Sequence, residues 1–176
     1  RDDGKVSEVS HQDHNGQILM VESYTRDLRV VKFETKEGGS KIQEAMLGDI
    51  SMSSKLARIT QHGLFYDDHG FVKNRYFRRS SGYQEKDSSG AYGKFYETDE
   101  RGLDTKEKSI DQEGKSIALN NGIAMIESKY DAEGRMIERH FVNLVGDLIP
   151  GPEAYAKVIN SYDKFGNVIE ISYFGK

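Results

Sequence analysis

The sequence predicts an all-β protein, an antiparallel meander of β-hairpin repeats that forms an extended, twisted sheet and can curl. Three observations support this. Turn residues recur with a fixed spacing of 32 residues, 18 of the 176 residues are glycine with only 2 prolines, and only 36% are hydrophobic while 31% are charged. So little apolar material suits a thin sheet or repeat stack better than a thick core. We interpret residues 1–176 as one array, with degenerate repeats over 1–58 and regular repeats over 59–176.

Four aspartates and four glycines carry the repeat. They are Asp67, Asp99, Asp131 and Asp163, and Gly70, Gly102, Gly134 and Gly166. Asp at the first position of a type I turn accepts a hydrogen bond from the backbone two residues on, and Gly at the fourth adopts the left-handed conformation. Such turns connect the strands of hairpins. We therefore predict that these eight residues are structural turn residues.

Two further turns divide each repeat. They fall at Gly82, Gly114 and Gly146, and then at Gly90 and Gly122, with Ala154 in the last copy. Each repeat then reads as a long strand, a short strand and a long strand. Long strands are predicted over 71–78, 91–98, 103–110, 123–130, 135–142, 155–162 and 167–174, and short ones at 83–86 and 115–119.

The first third follows the pattern less regularly. Asp13 and Gly16 form the same turn, and Gly4 precedes Gly16 by the 12 residues that separate Gly122 from Gly134. A further turn is predicted at Gly38, and residues 41–47 suit either a two-turn helix or a degenerate strand. Because the pattern opens within a repeat, we expect the chain to be cut from a longer array.

Two segments resemble the bacterial YD-type repeat, which is related to Rhs repeats. They are Tyr162-Asp163-Lys164-Phe165-Gly166-Asn167-Val168-Ile169 within 156–174, and Tyr130-Asp131-Ala132-Glu133-Gly134-Arg135-Met136-Ile137 within 130–141. The repeat that contains Gly102 has Thr98 in place of the tyrosine, and the repeat that contains Gly38 lacks the aspartate. The resemblance extends over about 59–176. It implies β-hairpin repeats on secreted or envelope-associated bacterial proteins, and it implies no catalytic residues.

Composition excludes several classes of function. The chain has 25 Lys and Arg against 29 Asp and Glu, which gives a net charge of -4. Proteins that bind nucleic acid usually carry net positive charge, so nucleic acid is not an expected partner. The absence of Cys excludes disulfides, thiolate metal sites and Cys nucleophiles. No apolar run is long enough for a transmembrane helix, and no signal peptide is visible at the start.

Two metal hypotheses compete with structural interpretations. The repeated aspartates could form a calcium ladder, but calcium takes about six to eight oxygen ligands and the neighbouring acids are sporadic, so we interpret them as turn caps. His11 and His14 have metal-like spacing without a third ligand, so we interpret them as surface polar residues. No cofactor is expected. A catalytic group normally occurs once in a protein, whereas the turn aspartates recur along the chain. We therefore predict that the protein is not an enzyme.

Two further groups of residues, one aromatic and one basic, also allow more than one interpretation. Phe77, Phe141 and Tyr173 share one column of the 32-residue period, where they could stack sugar rings or, as we prefer, pack across strands. Arg75, Arg78 and Arg79 form a basic cluster that we expect on a solvated face.

The leading functional hypothesis is a non-catalytic extracellular or cell-envelope repeat module that is a scaffold or binds a protein or a glycan. The alternatives are an intracellular immunity or antitoxin-like protein-binding repeat protein and an enzyme with an unrepeated polar pocket. The last strand, 169–174, has high strand propensity, so we also expect self-association through a terminal edge strand.

Overall fold

A computed structural model of the chain describes residues 4–25, 30–35, 59, 61–79 and 81–175. All regular structure in these residues is β-strand, which confirms the predicted all-β hairpin meander. The strands are β1 Glu8–Gln12, β2 Ile18–Tyr24, β3 Val30–Thr35, β4 Gln61–Tyr66, β5 Val72–Arg78, β6 Gly93–Thr98, β7 Asp104–Ile110, β8 Met125–Tyr130, β9 Met136–Val142, β10 Lys157–Tyr162 and β11 Val168–Phe174. The turn predicted at Gly38 and the alternatives for 41–47 lie outside the described residues.

The chain divides into two compact units, Arg1–Gly93 and Lys94–Lys176. The first unit contains β1 to β5, and the second contains β6, apart from its first residue, to β11. Within each unit, strands that follow one another in the chain are neighbours in the sheet. The described part of the chain has no helix long and apolar enough to cross a membrane.

The long hairpins share one register. In β8–β9, Lys129 lies opposite Glu138, and the register then shifts so that Tyr130 lies opposite Met136. The same shift precedes Tyr66 in β4–β5 and Tyr162 in β10–β11. A bulge beside a type I turn with a left-handed glycine joins strands while keeping their twist. In these three hairpins the tyrosine before the Asp-x-x-Gly turn therefore marks the end of the regular ladder.

The predicted short strands are wrong in extent. The two predicted short strands, 83–86 and 115–119, are single bridges, Arg78 to Gln84 and Ile110 to Ser116, and Val142 to Leu148 is the equivalent bridge of the next repeat. The physical reason is length, because another turn begins within a few residues and directs the backbone away from the ladder. Predicted strands that start at 91, 123 and 155 begin two residues later, at Gly93, Met125 and Lys157.

The core of each unit is small. The buried apolar side chains are Met20, Ile59, Leu64, Phe77 and Ala91 in the first unit, and Ile110, Ile123, Ala124, Phe141, Val142, Ala156 and Val158 in the second. Most of the second unit's core residues lie at the ends of long strands or immediately before the next long strand begins. Hydrophobic burial is therefore supplied repeat by repeat.

Candidate interaction surface

Each predicted turn residue lies in a turn with the same hydrogen bonds. At Asp131, Oδ1 accepts the Arg135 N–H at 2.8 Å, while the Gly134 N–H donates to the Asp131 carbonyl at 3.1 Å. Asp67, Asp99 and Asp163 cap their turns in the same way, at 2.9, 3.0 and 2.9 Å from the N–H four residues on. Gly70, Gly102, Gly134 and Gly166 all have positive φ, between 82° and 91°. These carboxylates are thus engaged by their own backbone.

Hydrogen bonding also keeps the turn carboxylates ionised. The Phe71 N–H lowers the pKa of Asp67, and the Asn167 side chain lowers the pKa of Asp163. Burial acts in the opposite direction at Asp99, but hydrogen bonds led by the Arg101 side chain still leave its pKa lowered. Groups held in the charged form are poor general acids at neutral pH. The described residues contain no group of three or more His, Asp or Glu placed to hold a metal.

Two arginines connect successive turns of the second unit, and sequence analysis missed them. Arg101 binds Asp99 Oδ2 at 2.7 Å and donates to the Asp131 carbonyl at 2.7 Å. Arg135 binds Asp131 Oδ2 at 2.6 Å and reaches the Asp163 carbonyl at 3.5 Å. The two occupy different columns of the repeat, so periodicity carried no signal for them.

One face of the second unit is charged, and its charges pair across strands. Glu138 lies 2.9 Å from the ammonium groups of both Lys129 and Lys157, and His140 Nε2 lies 2.6 Å from Glu127 Oε2. The hydrogen bonds from Lys129 and then Lys157 lower the pKa of Glu138 to about 2. The acidic side chains of this face are therefore engaged by neighbouring basic side chains.

The predicted basic cluster divides into two parts. Arg79 is exposed, but Arg75 and Arg78 are only half-exposed and their Nε atoms are inaccessible to solvent. Only part of each of these two side chains is therefore solvated, and Arg75 lies two residues from the buried Phe77, on the same face of β5. Of the predicted surface histidines, His14 is exposed, whereas His11 Nε2 lies 2.5 Å from the buried Glu22.

The last strand, β11, differs from its repeat equivalents in exposure. In the column that contains Tyr173, the exposed fraction is 1% at Phe77, 4% at Ser109 and 7% at Phe141, but 58% at Tyr173. The other large apolar residues of the strand are also exposed: Val168, Ile169, Ile171 and Phe174. We call these four residues and Tyr173 the terminal-strand surface, in which Ile171 and Tyr173 share one face of β11 and Phe174 lies on the other.

The equivalent position in β9 shows what covers this column. The Phe141 N–H donates to the Ala156 carbonyl at 3.0 Å, and the Phe141 carbonyl accepts the Ile149 N–H at 3.0 Å. Gly151 lies against the ring of Phe141, and the Tyr155 ring lies 5.8 Å from it. Beside Tyr173 there is instead an open cavity of about 370 Å³, lined by Glu153, Ala154, Tyr155, Tyr173 and Gly175.

Comparisons with known proteins found little. No family model matches the chain, and no curated protein matches it. Among solved structures, the chain is similar to a crystal structure described as TcdB2-TccC3-TEV, with 12% sequence identity and a TM-score of 0.26 over 96% of this chain. The match spans 11% of the other chain. A TM-score this low carries no argument about function.

Proposed function

We propose that this chain is a non-catalytic repeat module that binds another protein through the terminal-strand surface. The observation that carries the proposal is the group of exposed large apolar side chains on β11, among them Ile171 at 48% and Tyr173 at 58%. Clustered exposed apolar side chains mark interaction sites on proteins. We further propose that the hairpins are repeats of the YD type and that the protein is extracellular or envelope-associated, as the resemblance implies.

Strand addition is the binding mode that suits this surface. An extended peptide that pairs with a sheet edge gains main-chain hydrogen bonds, and its alternate side chains supply specificity. The register of β10–β11 places Tyr173 opposite Val158 and Ile171 opposite Asn160. By equivalence with Phe141, the backbone groups of Tyr173 face away from β10, and strand alternation gives Ile171 the same direction. A partner strand would therefore pair at Ile171 and Tyr173.

The charged groups support a non-catalytic role. The turn aspartates accept hydrogen bonds from their own backbone, and Glu138 is bound by two lysines. A general acid or base needs a pKa near the working pH and a proton within reach. Carboxylates with lowered pKa values in paired arrangements suit structure better than proton transfer.

A glycan ligand is the second candidate, and one observation favours it. The rings of Tyr155 and Tyr173 lie 4.9 Å apart at 50° beside the open cavity, with Glu153 on its wall. Aromatic rings next to a polar group suit an amphipathic ligand such as a sugar. An intracellular immunity-like role would use the same surface for a protein, so cell fractionation of the native protein distinguishes it from an envelope module.

The experiment uses a synthetic peptide of residues 147–162, which contains the segment that covers Phe141 in the native fold. Titrated into the full chain by calorimetry, it should bind saturably, and Ile171→Lys should weaken binding by about tenfold or more. Val145→Lys is the matched control, because Val145 is 81% exposed in a turn outside this surface and should leave binding unchanged.

Three results would count against a protein ligand bound by strand addition. Failure of the peptide to bind, or equal binding by Ile171→Lys and the unaltered chain, would contradict strand addition at β11. Binding of chitohexaose that Tyr173→Ala abolishes, without peptide binding, would establish the glycan candidate instead.

A further inference from the structure

We propose that a cleft between β7 and β8 in the second unit binds a small organic phosphomonoester, and that Lys106 and Lys129 hold its dianion. The cleft is an open cavity of about 490 Å³, and its wall includes Arg101, Lys106, Ser128, Lys129 and Tyr130. Ligand sites in proteins are commonly of this size. The cleft is separate from the terminal-strand surface, so the inference goes beyond the proposed function and does not depend on it.

The cleft forms because the two strands separate before their ends. The β7–β8 ladder ends with Lys106 opposite Glu127, although β7 begins at Asp104 and β8 continues to Tyr130. The Tyr130 hydroxyl donates to the Asp104 carbonyl at 3.0 Å and closes the other end of the gap. A space bounded at both ends along the strand direction suits a compact ligand better than an extended peptide.

The equivalent gap between β9 and β10 is crossed by a side chain. There the ladder also ends after three pairs, and Asn160 Nδ2 donates across the gap to the Met136 carbonyl at 3.0 Å. Ser128 occupies the column of Asn160 in β8. Its shorter side chain accepts a hydrogen bond from Arg139 Nε at 3.4 Å, on β9, which is the neighbour of β8 away from the cleft. The β7–β8 cleft is therefore open at the position where the next one is crossed.

The open cleft is also the more basic of the two. The basic residues of its wall and their equivalents one repeat later are Arg101 and Glu133, Lys106 and Glu138, and Lys129 and Ser161. The acids of the wall are already bound, because Asp99 pairs with Arg101 at 2.7 Å and Glu127 lies 2.6 Å from His140. Lys106 and Lys129 are therefore the cations of the wall that its own acids do not bind.

Each of these two lysines shares a carboxylate outside the cleft with a second lysine. The sets are Glu97 with Lys106 and Lys108, at 3.2 and 2.5 Å, and Glu138 with Lys129 and Lys157, both at 2.9 Å. When a cleft lysine turns to a ligand, its carboxylate therefore keeps one ammonium partner. The side chains of Lys106 and Lys129 are 39% and 65% exposed, and ion pairs at such exposure stabilise a fold only slightly. Both ammonium groups are thus available to a bound anion.

Charge and volume together favour a phosphomonoester. A phosphate monoester carries about -1.5 to -2 charge at neutral pH and has three acceptor oxygens, which matches two ammonium groups, whereas a carboxylate carries a single charge. The cavity is larger than a phosphate group alone. Tyr130 and Ile137 lie on its wall, and their apolar surfaces suit the organic part of an ester. The wall therefore fits a small ester better than a free phosphate ion.

Two-dimensional NMR of the full chain tests the site, with glycerol 3-phosphate as the probe. Titration should shift the amide signals of Lys106, Ser128 and Lys129 saturably, with a Kd on the order of 1 mM. Lys129→Ser removes a charge, and Ser128→Asn crosses the cleft as Asn160 does, so each should weaken binding by about fivefold or more. Both variants install the residue of the next repeat. Lys115→Ser is the matched control, because Lys115 is exposed in the turn at the opposite end of β7 and should leave binding unchanged.

Other outcomes overturn the inference in distinguishable ways. Inorganic phosphate that binds as tightly as glycerol 3-phosphate would make a free phosphate ion the ligand, and glucuronate that does so would make it a carboxylate. Absence of saturable shifts, or equal binding by Lys129→Ser and Lys115→Ser, would reject the site. Because Lys129 is 65% exposed, its replacement should leave the circular dichroism unchanged, so a loss of binding in that variant reports on the cleft and not on folding.

Discussion

The ring of Phe141 lies so close to the backbone of Gly151 that a Cβ atom on Gly151 would overlap ring carbons. In the preceding repeat, the same two positions are occupied by Ser109 and Leu119. A large residue on the strand is thus matched by glycine, and a small one by leucine. Between these two repeats a loss of volume at one position accompanies a gain at the other, whereas in the first regular repeat Phe77 is paired with Asp87.

The pair predicts a coupled stability effect. Gly151→Leu should destabilise the protein by about 2 kcal/mol or more, because leucine has no room beside Phe141. Phe141→Ser should also destabilise, by leaving a cavity. The double variant recreates the Ser109 and Leu119 pair, so urea unfolding of all four proteins should give a favourable coupling energy of about 1–3 kcal/mol. Simple additivity of the two losses would contradict this packing.

Ala154 is expected to destabilise the turn in which it lies, and glycine at this position is expected to stabilise it. It is the non-glycine residue with positive φ, at 66°, among the described residues, and Gly122 occupies the same column one repeat earlier. Ala154→Gly should raise the free energy of unfolding by about 1 kcal/mol, since the left-handed conformation costs that much with a Cβ. Gly122→Ala is the matched control and should lower it similarly. An Ala154→Gly variant that melts below the unaltered chain would disprove the strain.

Gly134 should tolerate no branched side chain. Its φ is +82°, and a Cβ there would lie at an ordinary 3.5 Å from Leu103 Cδ1, so the penalty comes from the backbone. Gly134→Ala should cost about 1 kcal/mol and Gly134→Val more, because β-branching narrows the allowed backbone further. Thermal melting checks this. Equal melting temperatures for Gly134→Val and the unaltered chain would contradict the positive-φ turn assigned to Gly134.

His62 should make stability fall with acidity well above the range in which carboxylates titrate. Burial, followed by the charge of Arg75, lowers the pKa of His62 from 6.5 to about 3. Between those values the unfolded chain binds a proton that the folded chain does not, so the free energy of unfolding decreases as pH falls from 6.5 towards 3. Urea unfolding at pH 7 and pH 5 should show a loss on the order of 1 kcal/mol.

Two variants isolate that effect. His62→Gln removes the titrating group and should flatten the dependence between pH 7 and pH 5. His14→Gln, at an exposed histidine, should keep the full dependence. The assignment to His62 fails if both variants retain the slope of the unaltered chain.

Glu138 should stabilise the fold in a way that acid removes. Its lowered pKa, about 2 against the usual 4.5, means that stability is present above pH 4.5 and is lost as pH falls towards 2. Glu138→Gln should therefore cost about 1 kcal/mol at pH 7 and nothing near pH 2. Glu133→Gln, at a carboxylate whose side chain is 64% exposed, should have little effect at either pH. A pH-independent cost for Glu138→Gln would indicate lost packing instead of lost charge.

The hairpin turns could be predicted from the sequence because their chemistry is local. Asp131, Gly134 and Arg135 lie within five residues of one another, and the capping hydrogen bonds form inside that segment. The 32-residue period then repeats the same local result along the chain. The extent of the short strands could not be predicted in this way, because a bridge such as Val142 to Leu148 depends on how the backbone leaves the ladder.

By itself, the sequence determined the all-β class, the hairpin turns and which residues share a column of the repeat. Tertiary structure decided which members of a column are buried. Phe141 is covered and Tyr173 is exposed although they occupy equivalent positions, because the cover is supplied by the next segment and not by the residue's own hairpin. Arg101 joins two turns, and His62 loses contact with water, for the same reason. Burial and contacts between repeats depend on atoms distant in the chain, which periodicity and turn chemistry do not specify.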